Sequence, residues 1–492
     1  MYVGVVTSLF LFTCSLASDA YTHHVAIVGA CTSHIFNSIP LARLLIENGH
    51  KVTFVTPNKC RSRILSVGAE LYKDKTWPEF KASDYANPFL EVIFAKESMW
   101  HSSSVASKEL DEWLQDKTKL DVIIGHGLNP LVSTIADKHQ IPFLLYYANG
   151  IPLVTDENLH KPLLKIDQIF AKNSFLYNQA AEILVVGFHQ IFAFMTSIEK
   201  INHMRATFSL HYVSTISQLW QSYPIVCPFN EPFVYHGSLE NLYKISLLPQ
   251  MHSLMSIPDD ILQWLMSSEQ PVIYMALGTS VGFTLSNQTL DMIFTIFQKQ
   301  TYYRILWSLK QAEQYEQKIV DPNHLMIKKF LPQIALLERP EIAGFLTHCG
   351  AASIMEAVKF EVPLILYPQG RDQMFTAMNA FDAGVGIYLN SPETLSKVLA
   401  EFMDKHDVLK KNVVEARKQV ASIKGWDRLS KLITDLARSK KSSFIQRDDV
   451  LLFYIYKWLT ILAMLVLGIL SLFGYIFYRC CCKSKPKKLK QQ

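Results

Sequence analysis

The densest concentration of residues able to do chemistry lies in Phe345–Gly386, FLTHCGAASIMEAVKFEVPLILYPQGRDQMFTAMNAFDAGVG. A buried strand ends at Thr347, and His348-Cys349-Gly350 turns tightly into a helix. The free N–H groups of a helix start and the positive end of its dipole make an anion site. A cationic or hydrogen-bonding His348 at that turn suits a diphosphate. Glu356 sits about two turns along the helix, within reach of sugar hydroxyls as a bidentate acceptor. Asp372 and Gln373 open the next helix, after the strand Pro363–Leu366, so their side chains enter the same cleft. These residues spell an anion site joined to a polyol site. The bland alternative is an ordinary strand–turn–helix with polar surface groups.

Such a site needs strands to carry it, and the chain supplies them in two series. His24–Ala30 (HVAIVGA), a helical stretch Pro40–Asn48 ending at Gly49, and Lys51–Thr56 (KVTFVT) make a βαβ start. Asp121–Gly125, a helix Leu131–Lys138 and Pro142–Tyr147 repeat it. Over Tyr212–Pro258 the periodicity breaks at Pro224, Pro228, Pro232, Pro249 and Pro258, which reads as the end of one domain and a linker. A second series follows: Pro271–Leu277, a helix after Ser286, Tyr303–Ser308, Leu325–Phe330, Ala343–Thr347, Val362–Leu366 and Val385–Leu389. Short strands alternating with helices imply α/β architecture, here two doubly wound parallel sheets with ligands held at strand C-terminal ends. Glu182–Met195 is apolar but too short to span a bilayer, and reads equally as core or as a membrane-surface segment.

The 492 residues are 49% hydrophobic and 18% charged, which excludes a disordered chain. Part of the apolar excess lies in Val3–Leu16, a signal-peptide-like run, and in Trp458–Tyr478, 21 residues without a charge. Tyr454, Tyr456, Trp458, Tyr475 and Tyr478 crowd the ends of the second run, as interfacial aromatics do. The tail Arg479–Gln492 carries six basic residues and no acid, leaving the rest of the chain at −1. The basic balance therefore reports a cytoplasmic tail and no nucleic-acid partner. Cys31, Cys60, Cys227 and Cys349 remain between the two apolar runs, without a zinc-like spacing. No disulfide pairing follows from the sequence. Asn287-Gln288-Thr289 is a glycosylation sequon.

The stretch around His348 resembles the signature of UDP-glycosyltransferases, the animal glucuronosyl- and glucosyltransferases and their plant relatives. Phe330-Leu331-Pro332-Gln333 looks like the start of that signature, and the likeness covers essentially the whole chain. It implies a GT-B fold: a signal peptide at 1–20, an N-terminal acceptor-binding Rossmann-like domain at 21–235 and a linker at 236–258. A UDP-sugar-binding Rossmann-like domain at 259–450, a transmembrane segment at 451–478 and a basic tail at 479–492 complete it. The resemblance assigns His348 and Gly350 to the donor diphosphate, with Ser353 in the same donor site, and Glu356 to the ribose. It assigns Asp372 and Gln373 to the hexose, Phe330 and Gln333 to the uracil, and Gly278, Thr279 and Ser280 to the phosphates. Relatives usually carry Asn where this chain has Ala352.

On the acceptor side, His34 matches the family's general base, a task that an imidazole performs near neutral pH. His126, within GHGLNP, stands where family members have an Asp that orients this base. Asp121 begins the same strand and belongs at its opposite end. The resemblance implies inverting, metal-independent transfer of glucose or glucuronic acid from UDP-glucose or UDP-glucuronate to a hydroxyl of a small lipophilic acceptor. No cofactor is expected, and the chain has no DxD triplet for a metal. The alternative is a catalytically impaired member that binds UDP-sugar or lipid and regulates a partner enzyme. Lys488 and Lys490 resemble a dilysine retrieval signal. The expected setting is the endoplasmic-reticulum membrane, single-pass, with both domains lumenal, the bilayer as a partner, and homo- or hetero-oligomerisation left open.

Overall fold

Short runs rich in β-branched and large apolar residues form the strands, and most are buried on both faces, as a parallel sheet between two helix layers requires. The structure is a computed structural model and describes residues 23–29, 35, 37–77, 88–116, 119–126, 129–147, 200–213, 219, 222–229, 232–233, 241–278, 285–369 and 372–444. The expected signal peptide, Glu182–Met195, the transmembrane segment and the basic tail lie outside them. Among the described residues no helix is long and apolar enough to cross a membrane.

The first sheet has seven parallel strands in the order β3-β2-β1-β4-β5-β6-β7. They are β1 (His24–Val28), β2 (Lys51–Val55), β3 (Glu70–Leu71), β4 (Val122–His126), β5 (Phe143–Tyr146), β6 (Ile225–Cys227) and β7 (Leu242–Lys244). Their helices are α1 (Ile39–Glu47), α2 (Arg61–Leu65), α3 (Pro88–Gln115) and α4 (Pro130–Lys138). In α1, Ile39, Leu41, Ala42, Leu44 and Leu45 are buried, the spacing of one helix face. The stretch expected as linker, 236–258, is corrected in part. β7 is a strand of the first sheet, so the chain leaves that sheet only after Lys244.

The second sheet has six parallel strands in the order β10-β9-β8-β11-β12-β13. They are β8 (Val272–Ala276), β9 (Arg304–Ser308), β10 (Leu325–Lys328), β11 (Ile342–Thr347), β12 (Leu364–Leu366) and β13 (Gly386–Tyr388). Around them run α5 (Asp259–Met266), α6 (Asn287–Lys299), α7 (Glu313–Glu316), α8 (Gln333–Leu337), α9 (Ala351–Lys359), α10 (Asp372–Asp382) and α11 (Leu395–Ala421). β8 and β11 are neighbours at the point where the strand order reverses, the place where open α/β sheets bind ligands.

The chain then returns to the first sheet. Leu429, Ile433 and Ala437 form the buried stripe of α12 (Trp426–Ser439), which packs against β4. The two halves also meet at the linker. Arg43 donates to the Gln250 carbonyl at 2.9 Å from one side. Lys359 donates to the Met251 carbonyl from the other.

One polar group in the first domain is costly to bury and therefore informative. Asp137, at the end of α4, and Arg205, in a helical stretch at 200–207, are 2% and 1% exposed. Arg205 Nη1 donates to Asp137 Oδ2 at 2.7 Å, and the Tyr223 hydroxyl donates to the same oxygen at 2.6 Å. Asp137→Ala leaves Arg205 charged, buried and without its acid. Loss of about 3–5 kcal/mol is expected, read as a lower midpoint in chemical denaturation; a shift under about 1 kcal/mol contradicts the burial.

Candidate active site

The site is built where β8 and β11 end side by side, Thr347 in register with Ala276. The chain leaving β8 reaches Gly278, and the chain leaving β11 reaches His348. The imidazole fills the space between Gly278 and Gly350. A Cβ on either glycine would lie 2.7 Å from His348 Nε2, closer than real contacts allow. Gly278 also has φ +85°, a region that L side chains rarely adopt.

Cys349 adopts φ +66° although it is not glycine. Thr347 Oγ1 accepts its N–H at 3.2 Å, and the Thr376 hydroxyl donates to its carbonyl. The strained turn is thus held from β11 and from α10. It aims the start of α9 at the cleft, and Gly350 at the cap has no side chain to satisfy the first N–H groups. Those donors are available to an anion.

Burial pulls the His348 pKa down to about 4, against the Ala276 carbonyl, which favours the charged form. Of the two roles open from the sequence, the neutral hydrogen-bonding imidazole is the one this environment supports at pH 7. Its Nδ1 makes no hydrogen bond among the described residues.

Two turns into α9, Glu356 faces α8. Gln333 Nε2 donates to Glu356 Oε2 at 2.6 Å and to Ser353 Oγ at 3.1 Å. Three residues assigned to the donor, Ser353 and Glu356 on α9 and Gln333 on α8, therefore share one cluster. Glu356 is deep in the cleft yet partly open to solvent. Burial pushes its pKa up to about 7, opposed by the Gln333 bond and by the positive charge of Arg63. Arg63, on α2 of the first domain, is lowered by its own burial and raised by Glu356. No spacing in the sequence links these two residues, and sequence reasoning missed Arg63 for that reason.

Phe330 is 49% exposed, unusual for a large apolar side chain and suited to a flat ligand. Gln373 is buried, its Oε1 accepting the Gln369 N–H at 3.0 Å. In this state it closes the loop after β12. Asp372 begins α10, but its side chain, with Thr279 and Ser280, lies outside the described residues. Asn287 is the exposed first residue of α6.

On the acceptor side, His34 also lies outside the described residues. His126 is buried at the end of β4, its ring edge-on to Tyr146 at 6.5 Å. It stands beside Gly29, where the chain leaves β1: a Cβ on Gly29 would be 3.8 Å from that of His126. Asp121 is at the opposite end of β4, as expected, accepting the His24 N–H at 2.8 Å.

Two parallel-sheet Rossmann-like domains with this cleft define the GT-B class of glycosyltransferases. Solved structures of the same architecture include a complex of a UDP-glucosyltransferase from Polygonum tinctorium capable of glucosylating indoxyl (TM-score 0.60, 16% identity, 85% of this chain and 99% of that one). A UDP-glucose:anthocyanidin 3-O-glucosyltransferase in complex with UDP is similar (TM-score 0.57, 15% identity, 84% and 99%). Among sequences, UDP-glucosyl transferase 73M2 of Saponaria officinalis is 24% identical over 502 residues, 85% of this chain and 97% of that protein.

The family model described as UDP-glucoronosyl and UDP-glucosyl transferase matches residues 235–491, more than half of the chain. The chain belongs to that family and is a hexosyltransferase that uses a UDP-sugar.

The ionised carboxylate of Glu356 is the form that accepts two hydroxyls, so UDP binding should tighten as pH rises from 6 to 8. Titration calorimetry should show several-fold tightening for the wild type beyond that seen for Glu356→Gln, the reference for UDP's own titration. Equal pH slopes contradict the assignment. In the free protein the raised pKa stabilises the fold below pH 4.5, and that contribution is lost as pH rises through 7. Glu356→Gln should therefore raise Tm at pH 8 by about 2 °C or more while weakening UDP. Gly278→Ala, which drives a Cβ into the His348 ring, should weaken UDP at least about tenfold; unchanged affinity contradicts the cradle.

Proposed function

We propose that this chain transfers glucose or glucuronic acid from a UDP-sugar to a hydroxyl of a small lipophilic acceptor, with inversion and without a metal. The observation that carries the donor half is the neutral His348 seated between Gly278 and Gly350 at the start of α9. Fixed N–H groups and a preorganised imidazole stabilise the charge that grows on the departing diphosphate. Glu356, Gln333 and Ser353 orient the nucleoside, and Asp372 and Gln373 the hexose. Glucose is the donor we favour, supported by the glucosyltransferase names of similar proteins.

In this reading His34 takes the proton from the acceptor hydroxyl. The oxygen attacks the anomeric carbon from the face opposite the diphosphate, a C–O bond forms, and the bond to UDP breaks with its electron pair leaving on oxygen. His126 stands where it can orient His34, and an imidazole there does not bring the fixed negative charge of a carboxylate. That feature favours a second reading, a catalytically impaired member that binds UDP-sugar or lipid and regulates a partner enzyme.

We place the protein in the endoplasmic-reticulum membrane with both domains in the lumen. Supporting this, Cys60 is disulfide-bonded, a state that persists in oxidising compartments.

UDP release measured with a panel of phenols and sterols separates the readings. The first expects turnover that His34→Ala reduces at least about a hundredfold, the usual share of a general base. Binding of UDP without release for any acceptor supports the second reading. Turnover unchanged in His34→Ala removes His34 as the base.

A further inference from the structure

After α12 the chain does not simply end its fold. Lys440 takes a left-handed turn, φ 48°, and residues 442–444 run into the first domain. Three successive side chains find partners there. The Ser442 hydroxyl donates to Asp137 Oδ1 at 2.6 Å. The Ser443 hydroxyl donates to the Phe143 carbonyl at 2.6 Å and accepts the Phe143 N–H at 3.0 Å, at the start of β5. Phe444 lies under the Arg205 guanidinium, 4.5 Å from ring centroid to Cζ, and edge-on to Tyr223 at 5.5 Å.

The arrangement completes a group that the first domain leaves half satisfied. Arg205 and Tyr223 both bind Asp137 Oδ2, whereas Oδ1 receives its hydrogen bond from Ser442. A buried carboxylate needs both oxygens engaged. The donor-side chain, arriving through α11 and α12, therefore supplies the last partner of an ion pair in the acceptor-side core. The contact reaches the cleft through α4. Asp137 lies in the last turn of that helix, which begins at Pro130, next to Asn129, whose N–H is bonded to the His126 carbonyl at 2.8 Å.

We propose that Ser442, Ser443 and Phe444 form a strap that holds the two halves in the transfer-competent arrangement, acting as positioning residues through Asp137 and α4. Its partners Asp137, Phe143, Arg205 and Tyr223 are not among the residues assigned to donor or acceptor. It rests on the transferase reading for its effect on turnover, but not for its effect on how the halves are held.

The test uses the full chain in detergent, with Ser442→Ala/Phe444→Ala and, separately, Ser443→Ala, which removes the bonds to Phe143 without baring the carboxylate. The double variant should keep its UDP affinity within about twofold, since the strap's partners lie in the first domain and none is assigned to the donor. Its kcat should fall at least about tenfold with acceptor KM nearly unchanged, and a protease should cut the 245–258 linker about tenfold faster. Ser443→Ala should move the last two readouts in the same direction by less, and Ser442→Thr, which keeps the hydroxyl, should restore both. Wild-type cleavage and kcat in both variants overturn the strap, as does a loss of UDP binding equal to the loss of kcat. Faster linker cleavage in variants of a wild type that transfers nothing leaves the strap standing and refutes the transferase reading instead.

Discussion

Everything the donor half does depends on one packed contact, the His348 imidazole held between two backbone positions without side chains. Because Gly278 and Gly350 leave that space, the ring can sit at the joint of β8, β11 and α9. There burial keeps it neutral and turns it into a fixed hydrogen-bonding group. The left-handed Cys349, tied to Thr347 and Thr376, is the cost of turning the chain sharply enough to aim α9 at the same point. Under the proposed reading, a diphosphate bound there would meet helix N–H groups and imidazole together, on sheets that supply the rigidity that charge stabilisation requires.

The second constraint is that such a cleft needs two halves in one arrangement, and the chain secures them in several places. Arg43 and Lys359 reach the linker carbonyls from opposite sides. Trp426 Nε1 donates to Asn48 Oδ1 at 3.2 Å where α12 crosses to the first domain. The Asn379 amide donates to the Phe233 carbonyl at 2.7 Å. The charge of Arg63, on α2 of the first domain, is also felt by Glu356 on α9. A residue of the first domain thereby influences the protonation of the group assigned to the ribose.

Much of the scaffold was legible because its signals are local. VAIV, KVTFV and FLLY are short apolar runs bounded by turns, and they are strands within a residue or two of where periodicity puts them. β6 and β7 were not legible: each is three residues long and lies among prolines, so a sheet edge read as a linker. The helix α3 was also missed, since its apolar residues make no clean stripe. At the site, the strand–turn–helix around His348 and the position of Glu356 were readable from one contiguous stretch. That Gln333 bonds Glu356, that Glu356 feels the charge of Arg63, and that His348 is neutral are consequences of folding together distant segments. Burial, not residue type, sets those properties.

The most direct measurement is a crystal structure of the two-domain part with UDP bound. The β-phosphate should lie within hydrogen-bond distance of the first N–H groups of α9 and of His348, with the ribose hydroxyls on Glu356. UDP lodged elsewhere, or with its phosphates turned away from residue 348, contradicts it.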